Sequence, residues 1–215
     1  MYNIGYIDDN PSLYTTYAKK LKRRDQDVEL ILLEDCTTKA DFVEKIYEKQ
    51  IEVLLIDYKM ASTFGFNGTT LINYINDQIR DLECFILTAV DNDQISDGLV
   101  AERNIFPKTI FDTEGDDPQK VEKLLGFIEI LKQSADVFQK RRQQRIDEYK
   151  HLLQKKKEGN LGADEEEFLR LYKVLSSYGM VEKLPGSMLN SDFEQKLDQL
   201  LKIGNKIVSE HKEKR

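Results

Sequence analysis

The sequence predicts an α/β fold, a five-stranded parallel doubly wound sheet, followed by an all-α C-terminal region. Two patterns carry that reading. Through the first half, short apolar runs alternate with amphipathic stretches, as strands do with crossover helices in a parallel sheet. Beyond Asp117 no strand-length apolar run remains, and the periodicity becomes helical.

The expected strands are Asn3–Ile7, Val28–Leu33, Val53–Ile56, Cys84–Leu87 and Asn104–Phe106. Pro11 stands near the start of the first helix, after Asp9 and Asn10 as candidate caps, with Leu13, Tyr14, Tyr17, Ala18 and Leu21 on one face. Thr37 and Thr38 are candidate caps for the second, which spaces Phe42, Val43, Ile46 and Tyr47 as a helix does. The third follows Asn67-Gly68 and presents Leu71, Ile72, Tyr74 and Ile75. A fourth, around Gln94–Glu102, is short and weakly apolar, so an irregular segment is expected there. The fifth begins near Asp117.

Composition narrows the function classes. The chain has 215 residues, 40% apolar and 33% charged, with a net charge of −7. Residues 1–116 hold 12 Lys/Arg against 22 Asp/Glu, while 117–215 hold 20 against 17. No apolar run approaches the roughly 20 residues needed to cross a bilayer, so a cytoplasmic protein without a membrane partner is expected. Cys36 and Cys84 lack metal-ligand spacing and read as reduced, structural residues.

Five polar residues close or follow the apolar runs. Asp8 and Asp9 follow the first, Asp57 the third, Thr88 the fourth and Lys108 the fifth. In open α/β sheets, sites form beyond the carboxyl ends of the strands, where the winding direction reverses. In the flavodoxin-like order strands one and three are neighbours at that reversal, so Asp8, Asp9 and Asp57 converge. An Asp at a strand end can also be a simple turn or helix cap. Three carboxylates side by side are costly without a cation, however, and the set outlines a phosphate and divalent-metal site.

These residues resemble, in order and separation, those of the receiver domain of two-component response regulators. The matching elements are Asp8-Asp9, Asp57, Met60 three residues later, Gly68-x-x-Leu71, Thr88-Ala89 and Lys108. The resemblance covers the N-terminal 110 to 130 residues. It implies a receiver-like domain over 1–116, whose last helix can run on to about residue 133; the helical periodicity that follows, which resembles no family, is read as a helical interaction or dimerisation region over 117–215. It further implies that Asp57 is the phosphoacceptor and that Mg2+ is bound by Asp9, Asp57 and the backbone carbonyl of Lys59, with Asp8 acting mainly through water. Thr88 and Lys108 would contact the phosphoryl group. Phe106, beside the family's aromatic switch position at Ile105, is either a rotamer switch or a core residue. Three departures stand out: Pro107 precedes Lys108 where receivers place a proline after it, Ala61 follows Met60 where they place a proline, and the loop to Gly68 is about three residues longer.

Beyond Asp117 a heptad count from Val121 places Val121, Leu124, Ile128, Leu131, Ala135 and Phe138, then Arg142, Arg145, Tyr149 and Leu152, at a and d positions. No proline interrupts Gln119–Gly159, enough for a helix of about 60 Å. Further apolar residues widen the stripe, so a helical hairpin or bundle and a coiled coil both remain open. After Gly159–Gly162 and Asp164 comes an amphipathic helix with Phe168, Leu169, Leu171, Tyr172, Val174 and Leu175. A last helix is expected after Gly179 and Pro185-Gly186, capped by Ser191. The basic runs Lys140–Arg145 and Lys155–Lys157 read as solvated helix face.

The expectation is a phosphorylation-responsive signalling protein. A histidine kinase or phosphotransfer protein would be its donor, and a protein effector or a second copy would read its helical region. Enzymatic activity beyond phosphoryl transfer to Asp57 and its hydrolysis is not expected. Two other readings stay open: a pseudo-receiver scaffold without phosphotransfer, and an atypical nucleic-acid-binding regulator using residues 140–157.

Overall fold

The computed structural model describes residues 1–89, 95, 98–113, 115 and 117–178. Five parallel strands, β1 (Tyr2–Ile7), β2 (Val28–Leu32), β3 (Val53–Asp57), β4 (Glu83–Thr88) and β5 (Ile105–Pro107), form one sheet in the order β2-β1-β3-β4-β5. β3 is central and buried along its whole length, so its side chains are divided between two cores. Val53 and Leu55 point to one face, Leu54 and Ile56 to the other. This two-residue alternation explains why the run is apolar without a gap.

Helices α2 (Lys39–Glu48) and α4 (Gly68–Gln78) cover the Leu54 face with Phe42, Ile46, Leu71, Ile72 and Ile75. Helix α1 (Tyr14–Arg24) and the start of α5 (Pro118–Lys157) cover the Val53 face with Tyr17, Leu21, Leu124, Phe127, Ile128, Leu131 and Ala135. The predicted cap of α2 is present as a capping box: the Asp41 amide donates to the Thr38 hydroxyl, and the Asp41 carboxylate accepts the Thr38 amide. The start of α1 differs from expectation. Pro11–Leu13 form a 3-10 turn with no side-chain cap from Asn10, and Leu13 is 49% exposed rather than on the buried face. Pro11 suits the turn because its fixed φ needs no amide donor.

One element is new. Ala61–Phe64 form a single helical turn, α3, in the stretch between Asp57 and Gly68. Where the weak fourth segment, Gln94–Glu102, was expected to be irregular, residues 98–101 form no helix and Glu102 opens a 3-10 turn, Glu102–Asn104; residues 94, 96 and 97 lie outside the described residues.

Helix α5 begins as its sequence suggests, with the Asp117 carboxylate accepting the Gln119 amide and Pro118 in the first turn. It ends before Gly159, whose φ of +72° is the left-handed conformation that favours glycine. The heptad stripe is real, but two different partners in the same chain share it. Leu124, Ile128, Leu131 and Ala135 face the sheet, and Phe138 joins the core beneath α2 and α4. Farther on, Tyr149 and Leu152 meet Phe168 and Leu171 of α6 (Glu165–Ser177), with the Tyr149 and Phe168 rings stacked at 5.2 Å. The result is an α5/α6 hairpin.

The hairpin returns α6 to the amino-terminal edge of the strands. Val174, Leu175 and Tyr178 pack into the core with Ile46, Ile51, Ile79 and Phe138. The Tyr178 hydroxyl donates to the Arg80 carbonyl at 2.9 Å and accepts from Arg145. Basic residues of α5 are largely occupied here. Arg141 and Arg145 pair with Asp81, Arg142 lies 4.0 Å from Glu52, and Lys155 pairs with Asp164. The runs Lys140–Arg145 and Lys155–Lys157 stay exposed or half-exposed, as expected of a solvated face, and carry these ion pairs in addition. Cys36 and Cys84 are free and buried, and burial raises both thiol pKa values, Cys36 to about 11. No helix among the described residues is long and apolar enough to cross a membrane. The expected helix after Gly179, Pro185-Gly186 and Ser191 lies outside the described residues.

Candidate functional site

The site is built from strand ends. Because β1 and β3 are neighbours in register from Ile4↔Val53 to Ile7↔Ile56, the residues that follow them emerge together at the carboxyl edge. Asp8, Asp9 and Asp57 each bring a carboxylate oxygen to within 4.8 Å of the others. Asp8 and Asp57 are buried, whereas Asp9 is half-buried.

Lys108 crosses the cluster. Its Nζ lies 2.7 Å from Asp8 Oδ2 and 2.8 Å from Asp57 Oδ1. Pro107 ends β5 opposite Thr88, on an edge strand where its missing amide costs no ladder bond. Lys108 then opens a 3-10 turn, Lys108–Phe111. Phe111 anchors that turn, stacked on Tyr17 at 4.2 Å and set edge-on to Phe127 at 6.0 Å, while Lys20 Nζ binds its carbonyl at 2.7 Å. An aromatic anchor after the lysine thus fixes its direction in this chain.

Two features were not evident in the sequence. The Tyr6 hydroxyl donates to Asp8 Oδ2 at 2.5 Å, and the Asn10 amide donates to Asp8 Oδ1 at 2.8 Å. With Lys108, these donors occupy both oxygens of Asp8, which suits an orienting carboxylate better than a direct cation ligand. Tyr6 is an inward residue of β1, and its polar tip among aliphatic neighbours was the available signal. The second feature is α3, whose Ser62 and Thr63 hydroxyls donate to Asp9 Oδ2 at 3.2 and 3.3 Å. Asp9 is engaged there rather than as a helix cap.

Burial and charge act in opposite directions on these groups. Burial, helped by the neighbouring Asp8 and Asp9 charges, raises the Asp57 pKa against the opposing effect of Lys108. Burial alone would lower the pKa of Lys108, but Asp57 and Asp8 more than reverse this, so the ammonium form is favoured. Burial, then Asp8, raise the Tyr6 phenol well above its ordinary range, and it remains a donor.

The donor set fits a divalent magnesium ion. It consists of hard oxygens, and three carboxyl groups against one lysine carry a formal charge of −2. Asp9, Asp57 and the carbonyl of Lys59 would hold the ion, with Lys59 on an exposed turn two residues after Asp57. Thr88 ends β4, one strand from Asp57, and is 1% exposed. Phe106 is partly buried and packed against Phe85 and Phe127, with ring centroids at 5.7 and 4.6 Å. Gly68 closes the site from below, its amide donating to the Tyr58 carbonyl at 3.0 Å.

No protein-family model and no curated protein matches the sequence. Among solved structures, the beryllofluoride-activated NtrC4 receiver domain dimer aligns at 16% identity and a TM-score of 0.46, covering 64% of this chain and 99% of that one. A CheY-like response regulator receiver domain protein from Methanospirillum hungatei JF-1 aligns at 15% identity and a TM-score of 0.42, covering 62% and 98%. A complex of the histidine kinase ThkA with the response regulator protein TrrA aligns at 21% identity and a TM-score of 0.41, covering 58% and 99%. The sheet order β2-β1-β3-β4-β5, with helices on both faces and an acidic site beyond β1 and β3, gives the N-terminal part of this chain a receiver-like fold.

Proposed function

We propose that the protein is a phosphorylation-responsive signalling protein that accepts a phosphoryl group on Asp57 and passes the change to its helical region. One observation carries this reading: three carboxylates from two strand ends form one cluster in which Lys108 is salt-bridged to both Asp8 and Asp57. A bound Mg2+ would neutralise the anionic groups and align the reacting oxygens.

The residues then have distinct tasks. A carboxylate oxygen of Asp57 attacks phosphorus, forming a P–O bond as the P–N bond of a donor phosphohistidine, or the P–O bond of a small acyl phosphate, breaks. The departing imidazole takes up a proton, whereas a departing carboxylate needs none. Lys108 pairs with a phosphoryl oxygen in place of the Asp57 carboxylate oxygen it holds beforehand. The Thr88 hydroxyl donates to another. Asp8, held by Tyr6 and Asn10, keeps the ammonium within reach of both states. The new charge of about −2 rearranges the turn after β5, whose contacts continue through Phe111 to Phe127 on α5.

Histidine-kinase or phosphotransfer partners supply the phosphoryl group in this reading, and a protein effector reads the α5/α6 hairpin. The engagement of Arg141, Arg145 and Lys155 in ion pairs favours a protein partner over nucleic acid. The test is incubation of the full chain with acetyl phosphate and Mg2+, followed by intact mass. One phosphoryl group should be gained, and none by Asp57→Asn or without Mg2+. A wild-type chain that gains no phosphoryl group and binds no beryllofluoride is instead a scaffold that keeps the fold without the chemistry.

A further inference from the structure

The three carboxylates are held in different ways. Asp8 is buried under three donors, and Asp57 is buried against Lys108. Asp9 is half-buried, and its hydrogen bonds come from outside the sheet, from the Ser62 and Thr63 hydroxyls. Both reach Oδ2, while Oδ1 accepts no hydrogen bond from the described residues.

The hydroxyls sit on α3, in the stretch that is longer than the receiver pattern, and α3 is firmly placed. Met60 before it is fully buried. Phe64 and Phe66 lie edge-on to Phe42 of α2, with centroids at 5.5 and 6.4 Å, and stack on each other at 5.9 Å. Gly65, at a φ of +76°, makes the reversal that brings both rings to the same side. A helical turn pinned by aromatic rings thus presents two donors at a fixed point above Asp9.

We infer that Ser62 and Thr63 are positioning residues of the cation site, fixing one oxygen of Asp9 so that the other is directed to the metal. This inference rests on the reading of the acidic pocket as a Mg2+ site. The physical need is specific to Asp9: a half-buried Asp side chain samples several rotamers, and ligand carboxylates are ordinarily oriented by hydrogen bonds from their neighbours. Asp8 and Asp57 obtain that order from burial, Tyr6 and Lys108. In Asp9 it comes from α3, so the longer loop supplies part of the site.

Calorimetric titration of the full chain with Mg2+ tests this. The Ser62→Ala/Thr63→Val variant should bind Mg2+ about tenfold more weakly, the low end of what loss of such orienting groups costs. Its thermal midpoint without Mg2+ should stay close to wild type, and Ser62→Thr/Thr63→Ser, which keeps both hydroxyls, should bind as wild type does. A hydroxyl-free variant that binds Mg2+ as tightly as wild type, or more tightly, would overturn the inference. So would an equal loss in the hydroxyl-retaining variant, which would assign the effect to packing. If wild type took up no Mg2+, the cation site itself would fall, and this inference with it.

Discussion

The α-carbon of Gly68 sits so close to the backbone of Asp57 that a methyl group on it would lie 2.1 Å from the Asp57 carbonyl oxygen. That oxygen belongs to the central strand, which is buried along its length. Gly68→Ala should therefore destabilise the fold by about 3 kcal/mol, the upper end of ordinary overpacking, measured by urea denaturation. A loss below about 0.5 kcal/mol would mean that α4 can shift away from β3.

Tyr6→Phe removes a single oxygen. The ring keeps its place beside Tyr14 and Tyr17, but buried Asp8 loses one of its donors. The expected cost is about 1–2 kcal/mol at neutral pH, with an unchanged dependence on denaturant concentration. No measurable cost would show that solvent replaces the phenol.

Lys108→Met leaves Asp8 and Asp57 buried without their counter-charge. Without divalent ions, stability should fall by about 2–4 kcal/mol, somewhat below a fully buried pair because the lysine side chain is 21% exposed. Mg2+ should then raise the thermal midpoint more in the variant than in wild type. Equal shifts would show that the ion and the ammonium do not neutralise the same charge.

Acid stability should carry a contribution from Asp41. Amide donation from Thr37 and Thr38, with the Thr38 hydroxyl, lowers its pKa from 3.8 to about 2. A carboxylate more acidic in the folded state stabilises fully above its unfolded value and loses that effect as pH falls through the folded one. Asp41→Asn should therefore flatten the fall of the thermal midpoint between about pH 4 and pH 2. An unchanged slope would place the acid sensitivity elsewhere.

The sequence was most legible where a pattern is local. Strand ends at Asp8 and Asp57 follow from apolar runs, and the Thr38 cap follows from residue type and spacing. Nonlocal causes left no such trace. Ala61–Phe64 reads as a loop because its helical turn is held by Phe42, which is distant in sequence. The direction of Lys108 depends on Phe111 meeting Tyr17. The heptad of α5 was ambiguous for a physical reason: a helix needs the same apolar stripe whether it faces a sheet, a neighbour in its own chain or a second copy.

Helix α5 is a single 40-residue rod, about 60 Å long, with its only proline in the first turn and Gly126 as its only glycine. One end is a wall of the sheet and the other an arm of the hairpin, and no linker separates them. A tilt imposed at Phe127 is therefore carried to Leu152 as by a lever, with the contacts around Phe138 and Glu52 as its fulcrum. The sheet wall and the hairpin arm are mechanically one part, and they cannot be reoriented independently without breaking backbone hydrogen bonds of the helix itself.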